Sequence, residues 1–189
     1  IPVYASSATL EYLADFDLVP PTAELIALEG KSDAIGGFEV SSFATSHDAV
    51  DCHGYRITAP SGGTVAMATD LGIVTDSVYE NLKNARLVVL EANYDAVRLR
   101  TGSYPYYLKT RIASARGHLC NTDTGAALAK LLGEGCERFA LCHLSNENNT
   151  TELALSAVTG AFLAAGMIPG KDGLLRTLKR GDITPALEF

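Results

Sequence analysis

Three short apolar runs end alike, and that shared ending constrains the fold more than any other feature. Thr64–Thr69 (TVAMAT), Arg86–Glu91 (RLVVLE) and Arg138–Cys142 (RFALC) close on, or are followed at once by, Asp70, Glu91 and His143. All three read as strands, and Arg86–Glu91 and Arg138–Cys142 read as buried ones. Helical patterns separate them, at Thr75–Asn84, at Tyr94–Ser114 (two helices broken near Gly102-Ser103) and at Asn121–Leu132. Strand–helix–strand alternation implies parallel pairing with helical crossovers. Upstream, Phe38–Phe43, Tyr55–Ala59 and Thr64–Thr69 read as strands, with Pro60-Ser61-Gly62-Gly63 turning the last two into a hairpin. Hairpins followed by alternation predict an α/β (α+β) class, with a mixed sheet covered by helices. The remaining elements are a helix at Ser7–Asp17 stopped by Pro20-Pro21, an ambiguous run at Glu24–Glu29, a polar turn at Lys31–Gly37, a long apolar helix at Asn148–Ala165, and a last strand within Leu174–Phe189.

Composition narrows the function classes. The chain has 189 residues, 47% of them hydrophobic, enough for a single domain with a true core. Its longest apolar stretch, Ala161–Ile168, is far shorter than the ~20 residues of a membrane span. A net charge of −7 repels polyanions on average, so a nucleic-acid role must rest on a local patch or on bound cations. Cys52, Cys120, Cys136 and Cys142 form no C-x-x-C pair; reduced thiols in a cytoplasmic protein are the simplest account. The opening Ile1-Pro2-Val3-Tyr4 lacks the features of a signal peptide and reads as a strand entered in mid-course.

The candidate chemistry sits at strand ends, where side chains emerge from a sheet edge. His47-Asp48, Asp70, Glu91 and His143 all have that placement. His and Asp suit Zn, Mn or Fe, and a carboxylate can bridge two ions. Singly, each also fits a plainer role: Asp70 before Gly72 as a turn or cap residue, the histidines as satisfied structural groups, Asp48 as a turn cap or as an acceptor orienting His47. His53, in Cys52-His53, reads as a loop residue. Arg98, Arg100, Lys109, Arg111 and Arg116 place five of the fifteen basic residues in one segment, interleaved with Tyr94, Tyr104, Tyr106 and Tyr107. Cations for phosphates plus aromatic faces for bases is a nucleic-acid pattern, and a solvated helix with tyrosines in the core is the alternative. Asn148-Asn149 can cap the last long helix or offer backbone N–H groups to a phosphate. Cys136 and Cys142 read as small core residues.

The motifs TSHDAVDCHGYRI (45–57), MATDLG (67–72), VLEANYD (89–95), YPYYLKTRIASARGHLCN (104–121) and CHLSNENN (142–149) resemble, in order, those of metallo-β-lactamase-fold proteins of the YycJ/WalJ type. The resemblance implies the αβ/βα four-layer sandwich of that fold and a DNA exonuclease-like activity using two divalent ions (Zn, Mn or Fe). It implies that His47 is a ligand of one ion, Asp70 the bridging carboxylate and His143 a ligand of the other. His118 matches a histidine placed over the scissile phosphate, with Glu91 beside it to orient it. Lys109, Arg111, Arg116 and Tyr106 become candidate substrate contacts, with DNA more expected than RNA.

Two departures stand beside these matches. Cys120 occupies a position where the family usually has Ser, and the family's H-x-H-x-D-H ligand motif does not occur in this sequence. The chain is therefore expected to represent an N-terminally incomplete domain, holding one ion weakly and prone to self-association or to pairing with the segment it lacks. The alternatives are another hydrolase of this fold, acting on RNA or on a small ester or thioester, and a catalytically silent interaction module.

Overall fold

A computed structural model describes residues 1–28, 30, 32–178, 181, 183 and 185. Its centre is a seven-stranded mixed sheet of β3 (Ser32–Ile35), β4 (Phe38–Ala44), β5 (His53–Thr58), β6 (Thr64–Ala68), β7 (Leu87–Glu91), β8 (Arg138–Cys142) and β9 (Leu174–Thr177), in that spatial order. The strands from β3 to β6 pair antiparallel and those from β6 to β9 parallel, as hairpins followed by alternation predict. A separate parallel pair joins β1 (Val3–Ala5) to β2 (Leu25–Ala27) around α1 (Ser7–Asp15). The Ser42 hydroxyl donates to the Leu28 carbonyl at 2.7 Å and ties this pair to the large sheet.

Three helices cover one face of the parallel half: α2 (Asp76–Leu82), α5 (Asn121–Gly133) and α6 (Thr151–Ala164). Their inward residues Val78, Leu82, Leu128, Leu131, Val158 and Phe162 meet Ala66, Ala68, Val88, Leu90, Phe139 and Leu141 in one cluster. Alternate residues of the same strands, Leu87, Val89, Ala140 and Cys142, are buried on the opposite face, which is why these runs carry no polar alternation. Where α5 crosses α6, Gly125 lies against Ala157 and Ala161, and a methyl group there would crowd both. Two further short helices, α3 (Ala96–Thr101) and α4 (Tyr106–Ile112), lie between β7 and α5.

Three expectations need correction and one ambiguous run is resolved. The polar turn at Lys31–Gly37 is mostly strand: β3 forms a hairpin with β4 across Gly36-Gly37, both with positive φ, and its exposed edge position explains its weak apolar signal. The ambiguous Glu24–Glu29 run contributes β2. His53 opens β5 instead of lying in a loop. The last long helix begins at Thr151, capped by the Thr150 hydroxyl, so Asn148 and Asn149 do not cap it. Of the expected terminal strand, Leu174–Thr177 is present, and positions 179, 180, 182, 184 and 186–189 lie outside the described residues.

Candidate active site

The carboxyl-terminal ends of β6, β7 and β8 are adjacent, and this adjacency assembles the site. Asp70 and His143 follow their strands with left-handed backbones, φ 56° and 53°, which turn the side chains over the sheet edge. Asp and His tolerate this region better than most residues, although it still carries conformational cost. Between them Glu91, the last residue of β7, is fully buried.

Glu91 organises what surrounds it. One carboxylate oxygen accepts from the Asp70 N–H at 3.1 Å, from His118 Nδ1 at 3.2 Å and from His143 Nδ1 at 2.8 Å. The other accepts from the Leu71 N–H at 3.3 Å and the Leu119 N–H at 2.8 Å. Burial pushes its pKa up, but the hydrogen bonds from His118, His143 and the Leu119 N–H outweigh burial and hold it at about 2. With five donors on its two oxygens, this carboxylate positions the groups around it. It orients His143 as well as His118, a second role that the sequence reading missed.

His47, His118 and His143 surround Asp70. Its Oδ1 lies 3.8 Å from His47 Nε2, 4.0 Å from His118 Nδ1 and 3.7 Å from His143 Nε2. Successive imidazole centroids are 4.9 and 5.2 Å apart. The Gly117 carbonyl can only accept, so its 2.8 Å contact with His47 Nδ1 puts the proton there and leaves the Nε2 lone pair facing Asp70. Glu91 does the same for His143. Two imidazoles, each with Nδ1 fixed by an acceptor and Nε2 facing one carboxylate, are a donor set that fits a divalent cation. Among the described residues, Asp70, Glu91, His118 and His143 each bring a ligand atom within 4.8 Å of one another, a group that could hold a metal ion.

At His47 Nδ1 the partner is the Gly117 carbonyl, and Asp48 stands on the other side of the ring. Asp48 lies 3.5 Å from His47 Nε2 and receives a two-pronged ion pair from Arg111, at 2.5 and 2.9 Å. That pair lowers the Asp48 pKa. The other basic candidates are partly committed too. Lys109 Nζ donates to the carbonyls of Arg100 and Gly102, and the Arg116 guanidinium donates to the His47 carbonyl. Tyr106 is 84% exposed, whereas Tyr94 is buried with Leu99 and Cys120.

Close backbone approaches lock the loops carrying these residues. A Cβ on Gly72 would strike the backbone at Ser114 and Ala115, and one on Gly117 the carbonyls of Arg111 and Ile112. Deeper still, Asn121 and Asn149 exchange side-chain hydrogen bonds at 2.9 and 2.8 Å, and Asn149 also donates to the Ala92 carbonyl. Asn93, another residue the sequence reading missed, donates to the His143 carbonyl at 2.8 Å. A cleft of about 790 Å³ opens beside the site, lined among others by His118, His143, Arg111, Tyr104 and Asn146.

The chain superposes on the metallo-β-lactamase-fold protein YhfI from Bacillus subtilis with a TM-score of 0.70, covering 96% of this chain and 63% of that one at 22% identity. It has the metallo-β-lactamase fold. Zn²⁺-bound PqqB from Methylobacterium extorquens also shares the fold, with a TM-score of 0.61 at 18% identity, covering 92% of this chain and 64% of that one. In sequence the chain is 36% identical over 174 residues to exodeoxyribonuclease YycJ of Bacillus anthracis, covering 90% of this chain and 65% of that protein. It is equally 36% identical over 160 residues to exodeoxyribonuclease WalJ of Streptococcus pneumoniae, covering 85% of this chain and 59% of that protein. The resemblance read from the motifs therefore extends over most of the chain, while the chain spans about three-fifths of the length of these curated relatives. No family model matches it. Among the described residues, no helix is long and apolar enough to cross a membrane.

Proposed function

We propose that the protein is a metal-dependent phosphodiesterase that degrades DNA from an end, as the names of its exodeoxyribonuclease relatives suggest. The observation that carries this reading is the convergence of His47, His118 and His143 on the Asp70 carboxylate, with His47 and His143 held so that their Nε2 lone pairs face it. Divalent ions bound there supply an activated water and neutralise phosphoryl charge. Zn, Mn and Fe all suit these donors.

This chain's own residues have distinct tasks in that reaction. Asp70 would hold the ion, with His47 and His143 beside it. Glu91 accepts from His118 Nδ1, so a doubly protonated His118 presents its Nε2–H, which can hydrogen-bond a phosphate oxygen or pass its proton to the departing alkoxide. Arg111, at the cleft wall and paired with Asp48, can swing its guanidinium to a phosphate. A basic, tyrosine-bearing segment beside the cleft favours a nucleic acid over a small ester or thioester. Four free thiols suit a reducing cytoplasm.

The test is end-labelled duplex DNA incubated with the protein and Mn²⁺, with wild type and Asp70→Ala compared. Degradation by the wild type that disappears in Asp70→Ala, with the melting temperature unchanged, supports the reading. Equal degradation by both contradicts it. Parallel assays with RNA and a thioester establish the substrate class.

A further inference from the structure

Helix α4 has two faces that differ in surroundings. Leu108, Arg111 and Ile112, spaced as one helical stripe, line the cleft beside His118 and His143. Tyr106, Lys109, Thr110 and Ala113 make the opposite stripe. They line a second cavity of about 620 Å³ closed on its other side by Tyr94, Ala96, Leu99 and Arg100. None of the α4 residues is buried, so this helix is a thin wall between two open spaces.

The second space has the chemistry of a nucleotide site. Leu99, Ala96 and Ala113 give it an apolar floor. Tyr106, 84% exposed, offers a ring face at its mouth with no aromatic partner among the described residues. Arg100 is exposed, and its guanidinium makes no ion pair among the described residues, in contrast with Arg111. Lys109 reaches into the wall and spends its ammonium on two backbone carbonyls, bracing α4 against α3. A ring to stack on, an apolar floor and an uncommitted guanidinium match a base followed by its phosphate. The two spaces are separated by about one helix diameter, ~10 Å.

We propose that this groove is a nucleotide subsite: a base of the single-stranded part of the substrate stacks on Tyr106, its phosphate pairs with Arg100, and the strand passes around α4 to the cleft. The proposal rests on the phosphodiesterase reading and adds where the strand is held away from the reacting phosphate. The strand's other contacts lie in the cleft, so the groove contributes affinity and direction.

The sequence contains no Trp, so Tyr106→Trp installs a single indole reporter at an exposed position. Titration of a short single-stranded oligodeoxythymidylate, with chelator present to prevent cleavage, is followed by indole emission and by anisotropy of a dye on the DNA. Saturable quenching that coincides with the anisotropy rise is expected. Tyr106→Ala and Arg100→Glu, each in the otherwise unaltered chain, are expected to weaken the anisotropy-detected affinity about tenfold. An anisotropy rise without quenching, or with affinities unchanged in both variants, overturns the groove and leaves the phosphodiesterase reading standing. No anisotropy change at any concentration overturns the groove as well, and the Asp70→Ala degradation assay then decides the phosphodiesterase reading independently.

Discussion

The strand-end corner and the α3–α4 segment lie side by side and are built in opposite ways. At the corner Glu91 is fully buried and accepts five hydrogen bonds, and two glycines permit backbone contacts that no other residue allows. In α4 no residue is buried, and its polar attachments run through the exposed or half-buried side chains of Lys109 and Arg111. Ligand geometry tolerates little displacement, so it belongs where each group is over-determined. Contacts with a long, flexible substrate tolerate adjustment, so they can sit on a loosely held helix. The difference separates the residues that do chemistry from those that grip.

Substitutions can break that contrast. The largest effect is expected at Glu91. Glu91→Leu removes a fully buried acceptor shared by two imidazoles and three backbone N–H groups, and urea unfolding is expected to show a loss of about 3–5 kcal/mol. A loss under about 1 kcal/mol would mean that the corner is not a cooperative unit. Gly117→Ala comes next. Its methyl group must push apart backbone carbonyls, so a loss of about 1–3 kcal/mol is expected in the same assay. Gly160→Ala, in a helical position with open space around it, sharpens the comparison by gaining about 0.5–1 kcal/mol. At the other extreme, Tyr107→Ser on α4 is expected to change stability by less than about 0.5 kcal/mol, because the side chain is 73% exposed.

The corner was more legible in the sequence than its supports. The strands β6, β7 and β8 announce themselves as apolar runs because both of their faces are buried, and Asp70, Glu91 and His143 stand out because they interrupt those runs. Edge strand β3 was hidden, since an exposed SDAI carries no burial signal. Asn148 and Asn149 looked like caps because Asn is frequent at helix starts, whereas Asn149 spends its amide on a buried pair with Asn121. The Gly117 carbonyl that orients His47 was invisible for a more basic reason: every residue has a carbonyl, so a backbone acceptor leaves no trace in residue type. Asn93 could have been found, because it stands two positions after Glu91 at the same sheet edge.

The central claim is that Asp70, His47 and His143 form a donor set made ready by its neighbours. Calorimetric titration of the chelator-treated chain with Mn²⁺ and with Zn²⁺ tests this without any substrate. The account predicts saturable binding of at least one ion, weakened tenfold or more in Asp70→Ala while the melting temperature of the metal-free protein stays unchanged. Equal affinity in the wild type and Asp70→Ala would contradict it.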